Sequence, residues 1–265
     1  MTRVSPAQAP VRRMRAEELL RSYPDGAIDV LITDPPYDSV DRRGASGHLR
    51  DWFTGAMTWP QIGALLRLAR RKLAPDGVAF VMTNGAGLRD AITALERAGF
   101  ARVRVITWDR GRPGLGGGLR HQTEYVLVGL LAGSRPLTGI DLISTPAVGS
   151  RTKDHYPTEK PEALGRELAA IAGIRRGDVV VDPFCGSGAL LVGARERGAT
   201  VAGPDIAARA VRRATARLAG SAKSRSATPP KPPRPSLEGR RPAGRRPIET
   251  RHARPAVSQR GRRDG

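Results

Sequence analysis

The chain has 265 residues, enough for one sizeable core or for one domain and a tail. It carries 45 Lys and Arg against 25 Asp and Glu, a formal charge of +20 that favours polyanionic partners, nucleic acid first. A single cysteine, Cys185, excludes an internal disulfide and a cysteine-built zinc site; there is no apolar leader-like stretch and no run of membrane-spanning length, so a reduced, soluble, cytoplasmic protein is expected.

In chain order, strand and helix signals alternate. Pro10–Met14 reads as a short strand and Ala16–Ser22 as a short helix. Ile28–Thr33 is an apolar, β-branched run of the kind found in buried parallel strands. Trp59–Leu73 has apolar residues at helical spacing (Ile62, Leu65, Leu66, Leu68, Ala69), and Pro75-Asp76-Gly77 should end it in a turn. Val78–Met82 follows as a strand and Leu88–Ala98 as a helix closed by Gly99. Arg102–Trp108 and Tyr125–Leu131 read as strands joined by the glycine-rich Gly111–Gly118, hence antiparallel to each other. Pro161–Ala172 is a helix ended by Gly173, Val179–Val181 a strand, Ala189–Arg197 a helix, Thr200–Ala202 a strand and Ala207–Leu218 a basic helix. This order predicts an α/β fold with a doubly wound, mostly parallel sheet and an antiparallel hairpin at one edge.

Ser221–Gly265 differs in kind, being dense in Pro, Arg, Ser and Gly, with 13 Lys and Arg against 3 Asp and Glu. Such a segment cannot offset its ordering entropy and is expected to be disordered. It reads equally as a non-specific phosphate-backbone binder and as a solubilising extension.

Two strand ends carry chemistry. Ile28–Thr33 runs into Asp34-Pro35-Pro36-Tyr37, where no helix can continue. That corner offers a carboxylate and a carbonyl to accept the two hydrogens of a planar amine, and a ring to stack on its face. Read alone, it is also an ordinary strand-end turn. Val179–Val181 runs into Asp182-Pro183-Phe184-Cys185-Gly186-Ser187-Gly188, a glycine turn that opens a helix. It is neither the Walker pattern nor the dinucleotide fingerprint. Asp205, ending Gly203-Pro204-Asp205, stands where an acid meets ribose hydroxyls, so a nucleoside cofactor without a pyrophosphate fits better than NAD.

Together these stretches resemble the DNA amino-methyltransferases, which move a methyl from S-adenosylmethionine to an exocyclic base nitrogen. Asp34-Pro35-Pro36-Tyr37 looks like their catalytic motif and Asp182–Gly188 like their cofactor motif. The catalytic motif comes first, as in the circularly permuted β class, and His155-Tyr156-Pro157-Thr158-Glu159-Lys160-Pro161 looks like that group's cofactor-side motif. Trp108 and His121–Leu127 resemble the family's last-strand region. The resemblance spans about Val11 to Leu218. It implies a class I, Rossmann-like domain of seven strands over 1–220, with the tail at 221–265.

The resemblance further implies direct methyl transfer to a flipped-out base in double-stranded DNA. Asp34 and the Pro35 carbonyl would accept the amine hydrogens, Pro36 would shape the corner and Tyr37 would stack. Asp182, Pro183, Phe184, Gly186, Ser187 and Gly188 would hold the cofactor, Asp205 its ribose, and Thr158, Lys160 and Pro161 would help close its pocket. No metal is required and no membrane is involved; a monomer or homodimer is expected. Aspartate in the first catalytic position points to adenine N6, with cytosine N4 as the alternative. RNA methylation and a non-catalytic nucleic-acid-binding relic are further alternatives. Restriction–modification, phage defence and regulation are all compatible roles.

Two departures stand out. The acid that ends the family's short N-terminal strand falls on Arg15, with Glu17 and Glu18 just beyond. The segment available for target recognition, Ala132–Arg151, is short, which implies either that sequence reading falls to Asp38–Thr58 and Gly111–Arg120 or that specificity is loose. Among other residues, Trp52 and Phe53 are candidate base stackers, whereas Trp59 reads as core. Arg42, Arg43, Arg50, Arg110, Arg112 and Arg120 are candidate phosphate contacts. His48 and His121 lack metal-ligand spacing. Cys185, inside the cofactor turn, reads as a small buried side chain rather than a nucleophile.

Overall fold

The computed structural model describes residues 10–37, 56–114, 118–148 and 158–223. Residues 224–265 of the proposed tail, His48, His155–Pro157, Trp52, Phe53, Arg42, Arg43 and Arg50 lie outside the described residues, whereas Ser221–Lys223, expected to belong to the disordered tail, continue the last helix.

Eight strands form one sheet: β1 (Val11–Arg13), β2 (Ile28–Thr33), β3 (Leu73–Thr83), β4 (Arg102–Asp109), β5 (Thr123–Leu130), β6 (Leu142–Ser144), β7 (Val179–Val181) and β8 (Thr200–Asp205). Their spatial order is β1-β8-β7-β2-β3-β5-β4-β6. Only β5 runs against its neighbours, pairing antiparallel with both β3 and β4. Helices α1 (Ala16–Ser22), α2 (Trp59–Lys72), α3 (Leu88–Arg97), α4 (Glu162–Ile171), α5 (Val192–Glu196) and α6 (Ala208–Lys223) complete the fold.

Side chains alternate across a strand, so β2 feeds two cores at once. Val30 and Ile32 join Leu164, Leu168, Ala214 and Leu218 from α4 and α6 on one face. Leu31 joins Leu19, Leu20, Leu66 and Leu95 from α1, α2 and α3 on the other. This is the doubly wound arrangement expected from the alternation of elements. No helix among the described residues is long and apolar enough to cross a membrane.

Three expectations need correcting. The sheet has eight strands rather than seven, and the β4–β5 pair is not its edge, because β6 adds beyond β4 with Trp108 opposite Ile143. Three residues with alternating exposure carry too little apolar signal to be read as a strand. Their place is set by Trp108, whose buried indole N–H donates to the Thr145 carbonyl at 2.9 Å. Second, Pro75-Asp76-Gly77 does not separate helix from strand. β3 begins at Leu73, and the turn sequence lies within it as an irregularity, with Ile28 opposite Leu73 but Val30 opposite Val78. The carbonyls so displaced are satisfied from one loop: Arg135 N–H donates to Asp76 at 2.8 Å and the Ser134 hydroxyl to Gly77 at 2.6 Å. Third, the helix after the glycine turn opens as a 3₁₀ turn (Ala189–Leu191) before α5.

That 3₁₀ turn and α5 approach α4 through two glycines. A Cβ on Gly193 would lie 2.5 Å from the Arg166 Cα, and one on Gly165 would lie 2.7 Å from the Leu190 carbonyl oxygen. Both obstacles are backbone and cannot swing aside. Gly193→Ala should therefore cost about 3 kcal/mol despite alanine's better helix propensity. Urea unfolding checks this; a loss below about 0.5 kcal/mol would show that the interface relaxes freely.

Candidate active site

Parallel pairing decides which strand ends become neighbours. β2 pairs with β7 in the register Leu31 to Val181, and β7 pairs with β8 in the register Val181 to Ala202. Asp34, Asp182 and Asp205 therefore issue from the carboxyl ends of three successive strands, at one rim of the sheet.

At the first corner Asp34 is partly exposed and Pro35 buried. The Pro35 carbonyl accepts the Tyr37 N–H at 2.8 Å, which leaves its second lone pair open. Tyr37 forms a bridge with Met57, whose N–H donates to the Pro36 carbonyl at 2.7 Å. One face of the Tyr37 ring is covered by Trp59, with centroids 5.9 Å apart and planes inclined by 11°. Trp59 is thus only partly buried and supports the catalytic-motif tyrosine, a role its reading as simple core missed. Its place follows from the start of α2, where the Thr58 N–H donates to Gln61 Oε1 at 2.8 Å and Pro60 occupies the first turn.

The second corner is a tight turn. Gly186 and Gly188 both take left-handed backbone (φ 49° and 77°). Asp182 is buried, and its Oδ1 accepts the Phe184 N–H at 3.0 Å. Pro183, Gly186, Ser187 and Gly188 are also buried, whereas Phe184 is partly exposed. Cys185 is buried, as expected. Burial pushes the Asp182 carboxyl up to about 7, and the neighbouring Asp34 and Asp205 charges add to the rise. Asp205, partly exposed, accepts the Ala207 N–H at 2.7 Å. Burial raises its carboxyl too.

Lys160, expected to help close the cofactor pocket, stands at the Asp34 corner. Its ammonium lies 2.5 Å from Asp34 Oδ2 and 3.6 Å from Glu124 Oε2. Glu124 is held on its other oxygen at 2.9 Å by Arg110, a candidate phosphate contact that the structure places beside the site. Arg112 and Arg120 are exposed, as is His121. Burial opposes the charge on Lys160, but Asp34 and Glu124 outweigh it and hold its pKa above the ordinary value. Burial likewise raises Asp34, against the pull of Lys160. The Tyr37 hydroxyl is raised by burial and by Asp34.

The segment bearing Lys160 is anchored from behind. Exposed Thr158 takes left-handed backbone (φ 57°), rare and costly for a β-branched residue. Next to it the nearly buried Glu159 carboxylate is gripped by Arg213 (3.0 Å) and Arg217 of α6. Burial opposes its charge, yet the two guanidiniums hold its carboxyl below the usual range. Buried Pro161 then caps α4. The sequence marked Arg110 only as a candidate phosphate contact, Glu124 only as part of a family-like strand and Arg217 not at all, since no local pattern reveals an ion pair formed across 14 to 58 residues.

Arg15, where the family pattern has an acid, is exposed at the start of α1. The chemistry of the rim favours a particular ligand. Asp34, Asp182 and Asp205 bring three carboxyl groups together in a strongly basic protein. A pyrophosphate would be repelled there, whereas a cationic nucleoside such as S-adenosylmethionine would be attracted to the carboxyl groups.

The comparisons agree. Residues 140–216 match the DNA methylase family N6_N4_Mtase, a span that includes the Thr158–Pro161 segment, the glycine turn and Asp205. Type II methyltransferase M2.DpnII of Streptococcus pneumoniae is 26% identical over 211 residues, covering 68% of this chain and 78% of that protein. Among solved structures, the M1.HpyAVI complex with S-adenosylmethionine superposes with a TM-score of 0.61 at 19% identity, over 78% of this chain and 98% of that one. The cytosine-N4-specific PvuII DNA methyltransferase has the same fold, with a TM-score of 0.59 at 16% identity over 80% and 90% of the two chains. Motif order, fold, rim chemistry and relatives converge on one family: over residues 140–216 and in its 26%-identical type II relatives, the chain is similar to the S-adenosylmethionine-dependent DNA amino-methyltransferases.

Proposed function

We propose that the enzyme methylates the exocyclic N6 of adenine, on a base swung out of double-stranded DNA. The observation that carries this reading is the juxtaposition of Asp34 with the glycine turn, on the paired strands β2 and β7. An amine inside a duplex is out of reach, so the base must leave the stack. Tyr37, backed by Trp59, offers its free face to that base. The Asp34 carboxylate and the open lone pair of the Pro35 carbonyl accept the two amine hydrogens, turning the nitrogen lone pair towards the incoming methyl. S-Adenosylmethionine supplies the electrophilic methyl group when bound. Asp182, Asp205 and the turn from Phe184 to Gly188 hold it, with Pro183 fixing the turn and Thr158 and Pro161 flanking the segment that packs beside it. The nitrogen gains the methyl and sheds one proton, for which Asp34 is the nearest base.

Cytosine N4 is the second reading, since the PvuII enzyme of that specificity shares the fold. Expression in a methylation-free host, followed by modification-sensitive sequencing of its genome, separates the two. Expected is N6-methyladenine at a recurrent sequence. N4-methylcytosine would overturn the assigned base, and an unmodified genome together with unmodified DNA in vitro would overturn the activity.

A further inference from the structure

We infer that Lys160 is a positioning residue that occupies the Asp34 acceptor at rest and steps onto Glu124 when the target amine arrives. The inference rests on the methyl-transfer reading of Asp34 and assigns Glu124 and Arg110 to the same site. Asp34 and Lys160 expose only 22% and 10% of their side chains, so neither can be left without a counter-charge cheaply. An amine that needs the Asp34 carboxylate meets an ammonium already there, 2.5 Å from Oδ2.

The structure provides the ammonium with a second place. Glu124 Oε2 lies 3.6 Å from Lys160 Nζ, is buried, and has no hydrogen bond among the described residues. The other oxygen of that carboxylate is fixed by Arg110, so Oε2 is held in place as an acceptor. Closing 3.6 Å to a charge-assisted bond of about 2.8 Å takes less than about 1 Å of travel, which exchanges the short bond to Asp34 for one to Glu124 while the ammonium stays within Coulomb range of both carboxylates. The main chain need not move: Glu159 is clamped by α6, and Pro161 starts α4. A lysine stem with four rotatable bonds is suited to such a step.

The test uses the full chain, unmethylated bacterial genomic DNA and radiolabelled S-adenosylmethionine. Glu124→Gln offers the ammonium a weaker second place, so kcat/KM for DNA should fall about ten- to a hundredfold, through KM more than kcat. Calorimetric affinity for S-adenosylmethionine should stay as in the parent. Lys160→Met also slows transfer, because Asp34 loses its cation beside Glu124. The double variant should transfer no more slowly than Lys160→Met alone, since Glu124 acts only through the lysine. Glu124→Asp, which keeps the charge but draws it back, should fall between parent and Glu124→Gln, and it carries the test if the amide variant does not fold.

Three results would each overturn the inference. Parental rates in Glu124→Gln would mean that the amine binds beside an unmoved lysine. Multiplied losses in the double variant would make the two residues independent. Loss of S-adenosylmethionine affinity in Lys160→Met would make the lysine a cofactor ligand. If the parent enzyme itself transfers no methyl to any DNA, the failure lies instead with the proposed function.

Discussion

Asp34→Asn is expected to slow methyl transfer about a thousandfold while changing S-adenosylmethionine affinity by no more than about threefold. The amide keeps the shape of the corner but removes the charge that draws the amine hydrogens, and half of its polar capacity becomes donor. At 298 K that loss is worth about 4 kcal/mol of transition-state stabilisation. The pH profile should change with it. Burial raises the Asp34 carboxyl above its ordinary range, with Glu124 adding to the rise and Lys160 opposing it. Because the ionised form is the acceptor, the parent should lose activity as pH falls through that raised value, and the variant should lack this acid limb. Single-turnover transfer and calorimetric cofactor binding check both points. Retention of more than about a tenth of the rate would remove Asp34 from the chemistry, and loss of cofactor binding would move it to the other pocket.

Arg135→Ala should lower stability by about 3 kcal/mol, or Tm by roughly 10 °C for a domain of this size. Arg135 is 8% exposed and lies at the opposite end of the sheet, 2.7 Å from Asp178 and 3.3 Å from both Asp29 and Asp76. Those acids sit on or beside β2, β3 and β7, the strands whose far ends carry the site. Asp178, 10% exposed, accounts for most of the loss; Asp76, 47% exposed, adds little because solvent screens it. Asp29 also accepts the Val179 N–H at 2.7 Å, and so ties β2 to β7.

The pH dependence of that loss follows from linkage. Burial raises the Asp29 carboxyl, with Val179 and Arg135 opposing the rise. A carboxyl with a raised folded pKa binds its proton more tightly folded than unfolded. It therefore adds stability as pH falls through that value and loses it as pH rises. Removing Arg135 enlarges the rise, so the deficit should be greatest near neutrality and shrink in acid. Urea unfolding at pH 7 and pH 4 checks this; a deficit below about 1 kcal/mol at pH 7 would show the cluster to be solvated.

What could be read from the chain alone was local. Ile28–Thr33 and Val179–Val181 announce themselves as buried strands because every residue but Asp29 and Thr33 is apolar, and Ala16–Ser22 announces itself as a helix by its spacing. The glycines of the cofactor turn and the Asp-Pro-Pro-Tyr corner are legible because backbone conformation and hydrogen-bonding capacity belong to residues, not to neighbours. What the tertiary structure alone decided was partnership. Leu142–Ser144 is a strand because Trp108 and Thr145 need each other, and Pro75-Asp76-Gly77 stays within β3 because a loop 57 residues away satisfies its carbonyls. Lys160 belongs with Asp34, 126 residues distant, and Glu124 with both, because Coulomb attraction acts through space and leaves no period in a sequence. The motifs named the chemistry; the ion pairs that set its resting state exist only once the sheet has brought those strand ends together.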